Sequence, residues 1–253
     1  MIWNFLNTGF NHGEFNMELD LQLVSALRER AGIPTLRMYG WSPPAISIGA
    51  HQHIEDFDAG KLEAADIDIV RRPTGGRAIL HANELTYSVV MKTDGQSLRD
   101  AYRFVNEGLL CGLRVLGIDA ELADRSDDFR RLYKDPSSIP CFTSFAKCEI
   151  HHQGKKLVGS AQRRYGGTIL QHGSLLLGPQ HRRIVEFLSE DVRGPKSVIE
   201  EQLNSCTSDA QTILGRIVTF EEAAECMKEG FRLGCGVEFI EEDVTLPALF
   251  LQH

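Results

Sequence analysis

Three short segments carry the residue types that could do chemistry. The first is Arg71-Arg72-Pro73-Thr74-Gly75-Gly76-Arg77-Ala78-Ile79-Leu80-His81, which lies between two strand-like stretches. Its paired glycines let backbone approach a ligand closely and present N–H groups. Its three arginines suit an anion such as a phosphate or a carboxylate. The same residues also fit a tight interstrand turn with solvated arginines. In the second segment, Gly154 to Arg164, Lys156 opens an apolar strand that ends in the small residues Gly159, Ser160 and Ala161. A lysine so placed can reach a carbonyl or a phosphate across close-packed backbone. The third, Gln171-His172-Gly173-Ser174-Leu175-Leu176-Leu177, is a polar group running into a buried strand.

Other chemistries lack their residues. There is no P-loop, no dinucleotide-binding G-x-G-x-x-G, no G-x-S-x-G elbow and no H-E-x-x-H. His51-Gln52-His53 would put two imidazoles on one face of a strand, half a metal site, but no carboxylate or thiol partner stands at a recognisable spacing, and no metal is expected. Cys111, Cys141, Cys148, Cys206, Cys226 and Cys235 include no C-x-x-C pair, so they read as free thiols, mostly packed as small apolar groups.

The elements that must position these segments follow from hydrophobic period. Phe15 to Gly32 reads as a helix with Leu19, Leu23, Ala26 and Leu27 on its apolar face. Strands are predicted at Leu36–Tyr39, Ala45–Gly49 and Ile67–Val70, with a short helix over Asp56–Asp66. Glu84 to Met91 alternates, with Leu85, Tyr87, Val89 and Met91 on one face. Ser97 and Asp100 cap a long helix to Leu116, buried through Ala101, Phe104, Val105, Leu109, Gly112 and Leu113, with Cys111 in the core. Asp119 to Ser138 reads as a polar surface excursion. Cys148–His152 and Lys155–Ser160 form a hairpin about Gln153-Gly154, and Thr168–Leu177 is a further strand. Thr219 and Glu222 cap a last helix reaching about Gly234. Strands in runs and helices in blocks predict an α+β fold with a mixed or antiparallel sheet, in one domain spanning 1–253.

Composition sets outer limits. In 253 residues, 27 Lys and Arg against 35 Asp and Glu leave a net charge of −8, which argues against bulk binding of nucleic acid or an anionic membrane. No run of about 18 apolar residues occurs, and Met1-Ile2-Trp3-Asn4-Phe5 lacks the form of a signal peptide, so a cytoplasmic location is expected.

Taken together, the three segments resemble the superfamily of lipoate–protein ligase A, biotin protein ligase and octanoyltransferases. The resemblance rests on Arg71-Arg72-x-Thr74-Gly75-Gly76, His81, Leu85-x-Tyr87-Ser88, Gly154-x-Lys156-x-x-Gly159-Ser160-Ala161-Gln162 and His172-Gly173-Ser174-Leu175, and covers about residues 1–190. Within it the LipM-type octanoyltransferases are nearest. Arg77 stands where the ligases usually have a third glycine, and Cys141, in Ile139-Pro140-Cys141-Phe142, stands where those enzymes carry a catalytic cysteine. Ala82 departs from the acidic residue common after the histidine.

The resemblance implies a biotin/lipoate protein ligase-like fold. It also implies transfer of an octanoyl group from acyl carrier protein to a lysine of a lipoyl domain, such as the glycine cleavage H protein, without a cofactor. Cys141, rather than Cys148, is the implied nucleophile, with Lys156 beside the acyl carbonyl. Arg72, Thr74, Gly75, Gly76, Arg77, His81, Gly159, Ser160, Ala161, His172 and Gly173 are the implied substrate-binding residues. His81 and His172 read as proton-transfer or pocket residues, or as buried, hydrogen-bonded histidines. Arg71, Arg72 and Arg77 read as contacts for the carrier's phosphate or as surface ion pairs, and Arg163 and Arg164 could belong to a basic landing site for acidic carriers. Two alternatives stand beside this. One is a lipoate–protein ligase needing ATP and Mg²⁺, for which the C-terminal region looks short. The other is a non-catalytic homologue that holds lipoate or a carrier domain.

Overall fold

Alternation along three central strands decides the architecture. The structure, a computed structural model, describes residues 1–122, 149–191 and 195–241. In β2 (Thr35–Trp41), Leu36 and Met38 join the main core while Arg37, Tyr39 and Trp41 point to the opposite face. In β6 (Glu84–Lys92), Leu85, Tyr87, Val89 and Met91 face the core, as their spacing predicts, and Glu84, Thr86 and Ser88 face away. In β10 (Thr168–Leu176), Ile169 and Leu175 face the core and Leu170, His172 and Ser174 face away. One face of the sheet is thus apolar and the other carries an unusual density of polar groups.

These strands belong to an eight-stranded mixed sheet with order β11-β1-β2-β6-β10-β9-β8-β7. β1 (Ile2–Asn11) runs parallel to β2 and to β11 (Glu238–Glu241); the other neighbours are antiparallel. β7 (Glu121–Leu122) pairs with β8 (Ile150–His152), which joins β9 (Lys155–Tyr165) through Gln153 and Gly154, at φ 49° and 75°. Positive φ at both central residues is the requirement of a type I′ hairpin. A smaller sheet, order β4-β3-β5, comprises β3 (Ala45–Ile48), β4 (Asp68–Arg71) and β5 (Ile79–His81). The observed fold is α+β with mixed sheets, as the sequence predicts.

On the apolar face lie α3 (Leu98–Leu116) and, following the short helices α4 (Lys196–Cys206) and α5 (Ala210–Leu214), α6 (Phe220–Cys235). Ser97 and Thr219 cap α3 and α6 as expected, accepting from the amides of Asp100 and Glu222 at 3.2 and 3.1 Å. The two helices touch backbone to backbone: a Cβ on Gly230 would lie 2.1 Å from the Gly112 amide nitrogen. Cys226 and Cys235 pack against the core from half-buried positions; Cys111 is also only half-buried, not in the core, because it lies at the edge of the α3–α6 contact against Gly234.

Other expectations shift with local chemistry. The first helix, α1, spans Gly13–Arg28, not Phe15–Gly32. His12 caps its start, its Nδ1 accepting from the Phe15 amide at 3.3 Å. Its end comes early because Arg30 takes a left-handed conformation (φ 61°), and the Ala31 amide closes back on the Ala26 carbonyl at 2.9 Å. The predicted Asp56–Asp66 helix splits into a 3₁₀ turn, Ile54–Asp56, and α2, Ala59–Ala64. His51 and His53 lie in an exposed turn after β3, so they do not share a strand face. Of the predicted polar excursion only its first residues are described, and they include β7; Cys141 and Cys148 lie outside the described residues.

α1 crosses the polar face of the large sheet, where its Asn16 and Asp20 are fully buried against the strands. Arg37 Nη1 donates to Asp20 Oδ1 at 2.8 Å, Ser88 Oγ to Oδ1 at 2.7 Å and the Tyr39 hydroxyl to Oδ2 at 3.1 Å. His172 Nδ1 stands 3.2 Å from Oδ2. Register explains the convergence, because Arg37, Ser88 and His172 are successive cross-strand partners on β2, β6 and β10. Burial alone would raise the Asp20 carboxyl, but the His172 hydrogen bond, the charges of Arg37 and His172 and the Ser88 hydroxyl outweigh it and hold it below its ordinary value.

Two stability predictions follow from these contacts. A carboxyl depressed in the folded state adds stability above its unfolded value of about 3.9, and that stability is lost as pH falls through the folded value. Asp20→Ala should cost about 3–5 kcal/mol at pH 7, since it strands the buried Arg37 charge. Urea titrations should show the gap between the wild type and Asp20→Asn narrowing below about pH 4; a gap unchanged down to acid unfolding would mean the carboxylate carries no such charge. Gly230→Ala should cost about 1–3 kcal/mol through overpacking. Gly167→Ala, where an added Cβ meets nothing within 4 Å, should leave the melting temperature unchanged.

Candidate active site

A cavity of about 250 Å³ opens between the polar face of the large sheet and the small sheet. Met17, Tyr39, Trp41 and Ile79 give it apolar walls, and His81 and His172 add imidazoles. Backbone and small side chains come from Gly159, Ser160, Ala161 and Gly173 on β9 and β10, and from Arg72, Gly75, Gly76 and Arg77 in the loop between β4 and β5. Ten of the residues implied from sequence therefore meet at one place, drawn from segments nearly a hundred positions apart.

The loop owes its shape to Arg72. Its guanidinium turns inward, with Nη1 donating to the Ser47 carbonyl at 2.9 Å, Nε and Nη2 to the Gly75 carbonyl at 3.2 and 3.0 Å, and Nη2 also to the Arg77 carbonyl at 2.6 Å. A planar five-donor group suits this gathering of carbonyls. Gly76 sits at φ +94°, and its carbonyl passes so close to Gly49 that a Cβ there would lie 2.0 Å from the oxygen. Arg71 likewise donates to carbonyls, those of Gln52 at 2.7 Å and Gly49 at 3.1 Å. Thr74 is fully buried behind the loop, its Oγ1 2.6 Å from His172 Nε2.

His81 stacks on Trp41 with centroids 4.1 Å apart and planes 18° from parallel. Its Nε2 lies 2.8 Å from Ser47 Oγ. Burial lowers its basicity despite the hydrogen bond and charge of nearby Glu84, so the ring is neutral near pH 7. Glu84 is itself buried, accepting from the hydroxyls of Thr86 and Ser174. Both histidines are thus buried and hydrogen-bonded, and both face the cavity.

Lys156 is 1% exposed and is not among the described residues lining the cavity. Its Nζ lies 2.5 Å from Glu149 Oε1, and Glu149 does face the cavity. The lysine therefore stands one carboxylate behind the wall. Arg163 and Arg164 are exposed, donating to the carbonyls of Pro73 and Gly166. Cys141 lies outside the described residues.

Sequence reading missed Asp20, Glu84 and Glu149 as buried acids. A signal existed for Asp20: positions 13, 17, 20, 24 and 27 form one helical stripe and all are buried, so a carboxylate in the middle of it has to be paired. The apolar wall of Met17, Tyr39, Trp41 and Ile79 was likewise not assigned.

Comparison with known proteins extends this picture past residue 190, where the recognised motifs end. Residues 12–232 match the model of the lipoyl protein ligase A/B catalytic domain. An octanoyltransferase LipM from Kyrpidia tusciae is 39% identical over 96% of this chain and 90% of its own length. A solved lipoate–protein ligase A bound with ATP superposes with a TM-score of 0.76 at 23% identity, over 99% of this chain and 92% of that one. A bipartite lipoate protein ligase from Thermoplasma acidophilum, solved in a study that includes its E2 lipoyl domain, gives 0.76 at 22%, over 99% and 90%. Fold and sequence agree: the chain belongs to the lipoyl protein ligase A/B catalytic-domain family, and within it to the LipM octanoyltransferases.

Proposed function

We propose that this chain moves an octanoyl group from acyl carrier protein to a lysine of a lipoyl domain through a thioester on Cys141. The observation that carries the reading is 39% identity to an octanoyltransferase over 96% of this chain. A cavity with apolar walls and polar backbone, suited to a medium acyl chain, supports it.

The chemistry divides into two exchanges. The Cys141 thiolate attacks the carrier thioester, a tetrahedral oxyanion forms and collapses, and the carrier thiol leaves. A deprotonated lysine amine then attacks the acyl-cysteine, forms the amide and returns the thiol. Splitting the transfer in this way is the usual gain of a covalent intermediate. The thioester donor is already activated, so neither nucleotide nor metal is needed for the energy balance. Lys156, coming through the Glu149 position, would stabilise the oxyanion and favour the thiolate. Gly75, Gly76, Gly159, Ser160, Ala161 and Gly173 would pack along the acyl group with His81 and His172, while Arg72 and Thr74 hold the loop. Arg77 would meet the carrier's phosphate.

Mass spectrometry of the protein with octanoyl carrier protein and an apo lipoyl domain tests this directly. Transfer should proceed in nucleotide-free, EDTA-treated buffer with one acyl adduct, on Cys141, and Cys141→Ala should abolish it. Strict dependence on ATP, with Cys141→Ser still active, would instead establish a ligase. Lys156→Arg should lower the rate by about 100-fold or more while circular dichroism stays unchanged, because the wider planar group cannot occupy a slot shaped for an ammonium. A wild-type rate would remove Lys156 from the chemistry.

A further inference from the structure

A buried chain of three side chains ties α1, through β10, to the glycine loop of the cavity. Asp20 Oδ2 lies 3.2 Å from His172 Nδ1, and His172 Nε2 lies 2.6 Å from Thr74 Oγ1. None of the three residues is more than 5% exposed. Asp20 is fixed in turn by Arg37, Tyr39 and Ser88. An ionised carboxylate can only accept, so the Nδ1 facing it bears the proton. Nε2 then pairs with the Thr74 hydroxyl, accepting its proton in a neutral ring and donating to its oxygen in a charged one.

Thr74 immediately precedes Gly75 and Gly76, which line the cavity. Their amides make no hydrogen bond to any described residue, while the Gly75 carbonyl is turned onto Arg72 and the Thr74 carbonyl accepts from the Ala50 amide at 3.0 Å. Two carbonyls of the loop are thus spent on the scaffold and its two glycine amides are not. Holding the loop in place would not by itself require a charged chain, since buried ion pairs replaced by apolar groups often leave stability unchanged or improved. What such a chain adds is a fixed direction.

We propose that Asp20, His172 and Thr74 are positioning residues that aim the Gly75 and Gly76 amides at the oxygen of the acyl carbonyl as it becomes tetrahedral. This rests on the acyl-transfer reading above. Donors fixed in advance at a developing oxyanion act on the rate and not on ground-state binding.

The test combines kinetics with a readout that needs no turnover. Thr74→Val, equal in shape and lacking the hydroxyl, should lower kcat for octanoyl transfer about 10- to 100-fold with KM little changed. Thr74→Ser should recover most of that loss. In the wild type, ring ¹⁵N spectra of His172 should show a protonated Nδ1. The proposal is overturned by a wild-type rate in Thr74→Val, by an effect on KM alone, by failure of Thr74→Ser to recover, or by a neutral ring protonated at Nε2. A wild-type protein that transfers no octanoyl group would reject the acyl-transfer reading instead, and the ring spectra would then decide the side-chain chain on their own.

Discussion

A single buried carboxylate organises this molecule. Asp20 enters from α1 onto the polar face of an eight-stranded sheet, where water cannot reach it. Its charge is tolerable there only because three strands present donors in one cross-strand row. The helix, the sheet and the glycine loop are therefore specified together: α1 carries the acceptor, β2 and β6 hold it, and β10 passes its orientation to Thr74 through His172.

The cavity is a consequence of the same division of faces. The apolar side of the sheet is filled by α3 and α6, which close the larger apolar core, and a second core lies around the small sheet. The other side covers its polar groups with α1 and the small sheet, and the space between the sheets is left as a chamber. Its walls mix large apolar side chains with glycine backbone, the usual make-up of a small-molecule pocket. Lys156 and Glu149 form a second buried pair at the wall, and Glu84 with Thr86 and Ser174 a third polar knot. The polar groups are satisfied chiefly by one another, which keeps them fixed.

Much of this was legible in the sequence because it is local. The period-two pattern of Leu85, Tyr87, Val89 and Met91, the caps at Ser97 and Thr219 and the Gln153-Gly154 turn are written in adjacent residues, and each is observed. Arg71 to His81 and Gly154 to Gln162 were recognisable as site segments because glycine and charge patterns are also local. What was not legible is long-range. β1 is a parallel strand whose register slips between Asn7 and Phe10, and whose second neighbour, β11, lies more than 230 residues away. Arg30 ends α1 in a conformation that glycine would normally take, so Gly32 misled. Arg72 looked like an anion contact, since nothing in its neighbourhood reveals that Ser47 and its own loop supply carbonyls to it.

The row of donors on β2, β6 and β10 holds the site together only if Asp20 is ionised in the folded protein. Its side-chain carboxyl ¹³C shift, followed by NMR as pH is lowered, measures this directly. The resonance should remain that of a carboxylate below about pH 3.9, the ordinary value for an aspartate, until the protein unfolds. A titration midpoint above that value in the folded state would contradict this, because burial would then outweigh the donors that are taken here to hold the site together.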